Sequence, residues 1–278
     1  MIAFAYYGAK NLLLPELLPL LPECDHYVEP FCGSATVLLN RIPSPIETMN
    51  DINGDIVNFF RILREHPDQI VENLWLTPYS HQEFEQAWEF SDCPIERARR
   101  FFIRTQMDLA KAGHRKDKSW SKNKKYVAGG HSYAVKNFAA KVPGLLNVAE
   151  RLKMTQIENI SADIVLKKYD SPDTLFYCDP PYLPATRNSS NDYRFELTLK
   201  DHEDLQQILN NVNGRVALSG YSSPEMKRWY KGWRCHKFIP RKVPMARGSG
   251  LVRQECLWTN YDPYHQKGQL KLFDYAKS

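Results

Sequence analysis

Leu175-Phe176-Tyr177-Cys178-Asp179-Pro180-Pro181-Tyr182 joins an apolar run directly to a polar, proline-rich turn. The apolar residues predict a short strand that ends at Asp179. The two prolines fix φ twice and remove two N–H donors, so the turn is stiff and exposes its carbonyl oxygens. Ligands of open α/β sheets bind beyond the carboxyl ends of the strands. This stretch therefore predicts an α/β fold with a ligand site at the turn.

Six other segments have the character of strands, and helical spacing follows most of them. With Thr174–Asp179, the predicted strands are His26–Phe31, Ile46–Asp51, Gln156–Ser161, Arg215–Ser219, Trp233–Ile239 and Glu255–Asn260. Predicted helices begin at about Ala35, run through Val57–Leu63, and cover Lys200–Leu209 and Pro224–Trp229. This alternation predicts an α/β fold with a doubly wound, Rossmann-like mixed sheet of about seven strands.

Residues 59–155 differ from the rest because they have the pattern of helices only. Apolar residues recur there at helical spacing, at Ile95, Ala98, Phe101, Phe102 and Leu109. We predict that residues 1–58 and 156–278 form the sheet domain, and that residues 59–155 form a mainly helical domain inserted into it.

The inserted segment also carries the most concentrated charge of the chain. Between positions 111 and 126 a single acid, Asp117, accompanies seven basic residues: Lys111, Arg115, Lys116, Lys118, Lys122, Lys124 and Lys125. Trp120 and Tyr126 are interleaved with them. Cations pair with phosphates and aromatic rings stack on bases, so the pattern favours contact with a nucleic acid. An ordinary solvated Lys/Arg surface is the alternative. Arg187, in a polar loop after Tyr182, is a second candidate contact.

The composition limits the class of protein. A formal net charge of +5 permits a polyanionic partner but does not require one. The six cysteines are scattered without a CxxC pair, which argues against a zinc site and suits a reducing cytoplasm. Charged residues and prolines interrupt the leucine-rich N-terminus, and no apolar run is long enough to span a membrane. We expect a soluble, cytoplasmic protein without a metal centre.

Two further motifs follow the first two predicted strands. Glu29–Ser34 contains Gly33, which lets the backbone approach a cofactor at a helix N-terminus, although the GxGxxG pattern is absent. Asn50–Asn53 contains Asp51, eighteen positions after Gly33, close to the spacing of an acid that binds ribose hydroxyls. A simple strand–helix turn and a helix N-cap are the respective alternatives. The order of these motifs on consecutive strands favours a cofactor site.

The turn after Cys178 has the groups that an amine substrate needs. An amine with two N–H donors requires two acceptors, which the Asp179 carboxylate and the Pro180 carbonyl can supply. Tyr182 offers a face on which a base can stack, a contact worth about 1–3 kcal/mol. The alternative is a Pro-Pro turn that ends a strand beside a solvated Asp179.

Together these motifs resemble the Dam-type family of DNA adenine-N6 methyltransferases. The similarity covers both ends of the chain, in Tyr7–Lys10, Val28–Ser34, Asn50–Asn53, Asp179–Tyr182, His202–Leu209, Leu218–Tyr221 and Glu255–Tyr261. It implies the fold of S-adenosylmethionine (SAM) methyltransferases, with a target-recognition domain where the basic insertion lies. It also implies SAM as cofactor, double-stranded DNA as partner, a base flipped out of the duplex, and no metal. A monomer without an obligate protein partner is expected.

The resemblance assigns roles to single residues. Lys10 is placed at the methionine carboxylate of SAM and Asp51 at its ribose hydroxyls. The full set of implied cofactor contacts is Tyr7, Lys10, Glu29, Phe31, Gly33, Asp51 and Asp163. The implied catalytic set, which holds the target base, is Asp179, Pro180, Pro181 and Tyr182. For Asp163 a helix N-cap is an equal alternative. The family often has a second glycine where this chain has Ala35.

Three other functions are compatible with parts of the pattern. The same site could methylate a cytosine N4, an RNA adenine or a protein amide, although the basic insertion favours duplex nucleic acid over protein. A non-catalytic DNA-binding module is a second alternative, against which the intact Gly33, Asp51, Asp179 and Tyr182 argue. A nucleotide-dependent oxidoreductase is the third, and the Asp179–Tyr182 turn gives it no support.

Overall fold

The computed structural model describes residues 1–6, 8–109, 119–122, 127–128, 130–186, 194–239 and 254–264. Seven strands form one sheet: β1 (His26–Glu29), β2 (Ile46–Asn50), β5 (Thr155–Glu158), β6 (Thr174–Cys178), β7 (Arg215–Tyr221), β8 (Arg234–Lys237) and β9 (Glu255–Thr259). A short antiparallel hairpin of β3 (Val127–Ala128) and β4 (His131–Ser132) lies apart from it. All seven predicted strands are thus confirmed, each to within a few residues.

The strand order is β5-β2-β1-β6-β7-β9-β8. The pairs from β5 to β7 are parallel, while β9 runs antiparallel to both β7 and β8, so the predicted mixed sheet is confirmed. After β1, the chain adds β2 and then β5 on one side of it. It then crosses back and adds β6 on the other side of β1. The crevice between the carboxyl ends of β1 and β6 is therefore the switch point at which such sheets bind ligands.

Eleven helices accompany the strands in the described ranges. They are α1 (Leu14–Leu17), α2 (Thr36–Asn40), α3 (Gly54–Glu65), α4 (Pro67–Trp75), α5 (His81–Gln86), α6 (Pro94–Met107), α7 (Tyr133–Lys141), α8 (Leu145–Leu152), α9 (Ala162–Lys168), α10 (Leu199–Leu209) and α11 (Pro224–Trp229). The helices predicted around Val57, over Lys200–Leu209 and over Pro224–Trp229 are confirmed. None of these helices combines the length and the apolar character that crossing a bilayer requires.

Alternating side chains divide the core between the two faces of the sheet. Leu175 and Tyr177 point to one face, where they join a core that includes the buried residues of α1 to α8. Phe176 and Cys178 point to the other face and pack with residues of α9, α10 and α11. This period of two is what a strand requires when helices cover both of its faces.

The helices of residues 59–155 pack on the same core as the sheet. The ring of Phe4, from the N-terminus, lies 5.2 Å from Phe59 on α3 and 5.0 Å from Phe101 on α6. Helix α3 begins at Gly54, so the predicted boundary at 59 falls inside a helix. The division into two domains stays a prediction.

One predicted helical position is wrong. Leu109 does not continue the apolar face of α6, because the helix ends at Met107 and Asp108 adopts an extended conformation. The Leu109 N–H then donates to the Ser119 carbonyl oxygen at 2.8 Å, and its side chain is 61% exposed. The apolar spacing predicted too long a helix, because it carries no information about the hydrogen bond between Leu109 and Ser119.

Candidate active site

A cleft opens at the carboxyl ends of β1, β2 and β6. Among the residues that line it are Tyr6, Lys10, Glu29, Phe31, Gly33, Asp51, Asn53, Tyr177, Asp179, Pro181 and Arg194. Three of the parallel strands end here, so motifs that are more than a hundred residues apart in the sequence meet in one crevice. This is the position predicted for the ligand.

The first wall of the cleft is the turn between β1 and α2. Gly33 has a φ of +49°, in the left-handed region that favours glycine, and its N–H donates to Asp51 Oδ2 at 2.9 Å. The other oxygen, Oδ1, accepts from the N–H of Asn53 at 2.9 Å. Burial raises the pKa of Asp51 to about 6, although both N–H donors act in the opposite direction. Asp51 is therefore held in place by the turns that follow β1 and β2.

Ala35 in the same turn is also left-handed, with a φ of +51°. It is the residue at which the family often has glycine. A non-glycine residue in this region carries a strain of about 1–2 kcal/mol. The turn thus keeps its shape here without the second glycine, at a local cost in stability.

The floor of the cleft contains a buried carboxyl group. Glu29 Oε1 accepts from the Tyr27 hydroxyl at 2.9 Å and from the N–H of Leu38 at 2.7 Å. Burial raises the pKa of Glu29 to about 8, and the two donors only partly offset that rise. The group is therefore mainly protonated at neutral pH, and it can present either a hydroxyl or a carbonyl oxygen.

The other wall is the turn after β6, where a lysine is paired with the predicted catalytic acid. Lys10 Nζ lies 2.7 Å from Asp179 Oδ2 and 3.4 Å from Glu255 Oε1, and it donates to the Gly8 carbonyl oxygen at 2.8 Å. Burial disfavours the ammonium, but the neighbouring carboxylates outweigh it and raise the pKa of Lys10. Burial likewise raises the pKa of Asp179, and the Lys10 ammonium opposes that shift.

Tyr182 closes the turn and is itself almost fully buried. Its hydroxyl donates to Glu255 Oε1 at 2.7 Å, and its ring packs edge to face with Tyr221 at 4.7 Å between centroids. Lys10 Nζ lies 5.1 Å from the Tyr182 ring centroid, close enough for a cation–π contact. Pro180 and Tyr182 line a second, smaller cavity, whereas Asp179 and Pro181 face the main cleft.

The structure brings most of the predicted cofactor and catalytic residues together. Those that line the main cleft are Lys10, Glu29, Phe31, Gly33, Asp51, Asp179 and Pro181. Asp163 is not among them, because it lies in the first turn of α9, bonded to Ser161 and 3.6 Å from Lys167 Nζ. Its role as an adenine contact stays a prediction. The predicted residues outside the described ranges are Tyr7, Arg115, Lys116, Lys118, Lys124, Lys125 and Arg187.

Two members of the predicted DNA-binding segment are described. Trp120 is half-buried, with its ring 5.0 Å from His81 and 6.2 Å from Tyr79, and it packs against the core. Lys122 is exposed. Trp120 therefore anchors this segment to the protein, and the contact of both residues with DNA stays a prediction.

Several residues of the site are absent from the sequence-based set. Asn53 and Glu255 lie within segments of family resemblance but were given no role, and Tyr6 and Arg194 lie in no motif that marked them. Glu255 reaches the site because the antiparallel β9 begins beside the end of β7, where it pairs with Tyr221. Nothing in the local sequence indicates that this glutamate, at the start of a strand, lies in the site.

Fold and site together define a class. The sheet is doubly wound with one antiparallel strand, and the glycine turn after β1 is bonded to the acid after β2. An Asp-Pro-Pro-Tyr turn lies at the switch point. These are the features of a methyltransferase that acts on exocyclic amines. The family model of D12 class N6 adenine-specific DNA methyltransferases matches residues 6–243. The chain belongs to this family and is an adenine-specific DNA methyltransferase.

Similar proteins agree with this identification. The chain is 26% identical to the Type II methyltransferase M1.LlaDCHI of Lactococcus lactis subsp. cremoris, over 91% of this chain and 93% of that protein. It is 24% identical to the DNA adenine methylase of Escherichia coli K12, over 92% and 93% of the two chains. The Vibrio cholerae DNA adenine methylase is 23% identical, over 92% and 94%. These matches support an adenine acceptor in DNA over the cytosine, RNA, non-catalytic and oxidoreductase alternatives.

Proposed function

We propose that the main cleft binds SAM, and that the Asp179–Tyr182 turn presents a flipped adenine to it. The observation that carries this proposal is the position of Asp179 in the same cleft as Gly33 and Asp51. A carboxylate that accepts from the adenine amine thus stands beside the predicted cofactor turn. This geometry is what transfer between two bound reactants requires.

The lining residues fit the cofactor. A Cβ on Gly33 would lie 3.4 Å from the Tyr6 ring, and the left-handed φ of Gly33 disfavours other residues, so the backbone here faces the cleft without a side chain. Asp51 is held with both oxygens at the cleft, where each keeps a lone pair for a ribose hydroxyl. Phe31 supplies an apolar surface and Glu29 a polar group on the floor. When bound, SAM supplies an electrophilic methyl group on its sulfonium sulfur.

The chain's own contribution to the reaction is alignment and electrostatics. The N6 lone pair of adenine is conjugated with the ring and is a poor nucleophile. Asp179 and the Pro180 carbonyl oxygen accept its two N–H groups, which favours a pyramidal nitrogen with the lone pair directed away from them. After transfer the nitrogen carries a surplus proton, and Asp179 is the carboxylate placed to take it. Burial, which raises the pKa of Asp179, increases its basicity.

The adenine must leave the duplex to reach this cleft, at a cost of a few kcal/mol. Tyr182 recovers part of that cost by stacking. The helical segment of residues 59–155, with Trp120, Lys122 and the basic residues around them, is proposed as the DNA-contacting and target-recognition part. Phosphate contacts there would make binding fall steeply with added salt.

The role of Asp179 is tested by Asp179→Ala. We expect the variant to bind SAM with parental affinity in calorimetry, and to lose methyl transfer by about a hundredfold or more, the effect of removing a preorganised electrostatic partner. Asp204→Ala, an exposed carboxylate on α10, is the matched control and should retain both properties. Transfer near the parental rate in Asp179→Ala would refute the assignment.

The acceptor and the target are tested together. DNA from cells that express the enzyme is digested to nucleosides and also sequenced with methylation detection. We expect N6-methyladenine at one short sequence, and N4-methylcytosine would contradict the proposal. Protection of that sequence from an endonuclease encoded nearby would support a restriction–modification role, the context that the name of the Lactococcus relative indicates.

A further inference from the structure

Lys10 makes two of the three contacts proposed for the target adenine, and only the one with the Pro180 carbonyl oxygen is missing from its hydrogen bonds. Its ammonium donates to Asp179 at 2.7 Å, as the adenine amine would, and lies over the Tyr182 ring, where the base would stack. A base cannot enter while Lys10 holds this position. Resting on the proposed function, we propose that Lys10 is a placeholder for the adenine, in place of the contact with the methionine carboxylate that the resemblance implied. Glu255 is then a positioning residue that receives the Lys10 ammonium when the base arrives.

The position of Glu255 suits this exchange. Glu255 Oε1 lies 3.4 Å from Lys10 Nζ, so a shift of about half an ångström gives a normal charge-assisted hydrogen bond. Lys10 is 5% exposed, and a buried ammonium that leaves one carboxylate needs another because an unpaired buried charge is costly. The same Glu255 oxygen accepts from the Tyr182 hydroxyl. Lys10 therefore moves to a carboxylate that already orients the ring on which the base stacks.

The exchange also explains how Asp179 stays ready in the free enzyme. Without Lys10, Asp179 and Glu255 would be neighbouring half-buried carboxylates with no cation between them, and their like charges would repel each other. Paired with Lys10, Asp179 has its charge compensated and its orientation fixed until the base replaces the ammonium. Glu255 thus acts through Lys10 and Tyr182, without contacting the reacting atoms.

The test compares Glu255→Gln, Lys10→Met and the double variant in full-length enzyme. Each is titrated with a duplex that carries 2-aminopurine at the mapped target position, whose fluorescence reports flipping, and SAM affinity is measured separately. In Glu255→Gln we expect the flipped population to fall and the KM for DNA to rise about tenfold or more, with SAM affinity retained. The amide still accepts from Tyr182, so a loss reports the missing charge. Adding Lys10→Met should restore flipping, because no ammonium then competes with the base for Asp179.

Glu150→Gln, an exposed carboxylate on α8, is the control and should behave as the parent. Parental flipping in Glu255→Gln would overturn the inference, as would a double variant that flips no better than Glu255→Gln, since Glu255 would then act only by packing. Failure of the proposed function looks different, because the parent itself would then not methylate adenine.

A separate observation concerns three arginines that share the carboxylate of Asp55, one of which lines the main cleft. Asp55, in the first turn of α3, accepts from Arg104 at 3.0 Å, from Arg97 at 3.4 Å and from Arg194 at 2.8 Å. Three guanidinium groups thus share one carboxylate, which leaves a local surplus of two positive charges. Arg194 also lines the main cleft, so part of this positive charge lies at the cleft to which the flipped adenine would come.

The three arginines are not equivalent. Arg104 is largely buried, lies 5.6 Å from the Trp88 ring and donates to the Ala87 carbonyl oxygen, so it supports the cluster. Arg97 and Arg194 are 34% and 50% exposed and keep guanidinium edges open to solvent. Arginine forks bind phosphate in a bidentate manner. The geometry points to a phosphodiester site formed by Arg97 and Arg194, which holds the DNA backbone beside the flipped adenine.

The test is the salt dependence of binding to a duplex of about 20 base pairs, for Arg194→Gln and Arg97→Gln. Each change should weaken binding and reduce the slope of log Kd against log salt by about 1, with SAM affinity unchanged. Lys200→Gln on α10, on the opposite face of the sheet, is the control. A parental slope in both variants would overturn the site. Weakened SAM binding with an unchanged slope would also overturn it, because the anion bound there would then be the cofactor carboxylate.

Discussion

Burial decides the charge of single groups around the cleft. Lys10 and Glu29 are both buried, yet one is charged and the other mainly neutral at pH 7. The difference is in their neighbours, since two carboxylates stabilise the Lys10 ammonium, whereas Glu29 has a hydroxyl and a backbone N–H. Two donors are not enough to compensate a carboxylate for lost solvation, so the pKa of Glu29 rises to about 8.

This shift predicts a pH-dependent contribution to stability. The folded-state pKa of Glu29 lies above its ordinary value of 4.5, so between pH 4.5 and about 8 the folded state binds more protons than the unfolded state. The contribution of this proton uptake to the free energy of unfolding is fully present below pH 4.5. It is lost as the pH rises to 8, at about 1.4 kcal/mol per pH unit. In Glu29→Gln, urea denaturation from pH 5 to 8 should show a free energy of unfolding that declines less steeply than in the parent. If the free energy of unfolding falls equally steeply with pH in the parent and in Glu29→Gln, Glu29 is ionised in the folded protein and the prediction is wrong.

At the scale of elements, local side-chain bonds determine where helices begin. Asn53, Ser80 and Ser223 accept from backbone N–H groups at the starts of α3, α5 and α11. Helix α10 has a complete capping box, in which Thr198 and Asp201 bond each other's backbone N–H groups. The predicted start of α10 at Lys200 is within one residue of the observed start at Leu199, because capping is a short-range signal.

The capping box predicts a measurable loss in Thr198→Ala. The N–H of Asp201 loses its acceptor, so we expect the free energy of unfolding to fall by about 1 kcal/mol. Urea denaturation of the parent and the variant measures this difference in the free energy of unfolding. Thr198→Ser keeps the hydroxyl and should stay within a few tenths of a kcal/mol of the parent. An equal loss in both variants would show that the methyl group of Thr198, and not its cap, stabilises the helix.

For the molecule as a whole, a buried ionic cluster ties helix α8 to the sheet. Glu47 on β2 is 2% exposed, and Arg151 on α8 binds both of its carboxylate oxygens. Arg151 also donates to the Leu38 carbonyl oxygen, and Arg41 lies 3.4 Å from Glu47 Oε1 while stacking over Tyr27. Residues more than a hundred positions apart thus hold β2, α2 and α8 together.

Removing one partner of this cluster should be severe. Arg151→Met leaves Glu47 buried with a weaker partner, and we expect the free energy of unfolding to fall by about 3–5 kcal/mol. The double variant Glu47→Gln with Arg151→Met should be less destabilised than Arg151→Met alone, because it removes the carboxylate that Arg41 alone does not compensate, while Arg41 keeps the Ser44 hydroxyl and the Tyr27 ring as partners. Chemical denaturation of the single and double variants measures both values. Simple additivity would contradict the view that the uncompensated charge causes the loss.

Local pattern was sufficient for the strands, the class of fold and the motifs at their ends. Apolar periodicity and turn chemistry act over a few residues, so Gly33, Asp51 and Asp179 could be placed at strand ends from sequence alone. Partners in space could not be predicted in this way. That Lys10 pairs with Asp179, that Glu255 joins them from an antiparallel strand, and that Arg194 shares Asp55 with two arginines of α6 all depend on how distant segments pack. Burial then sets the charge of each group, and burial is a property of the assembled fold.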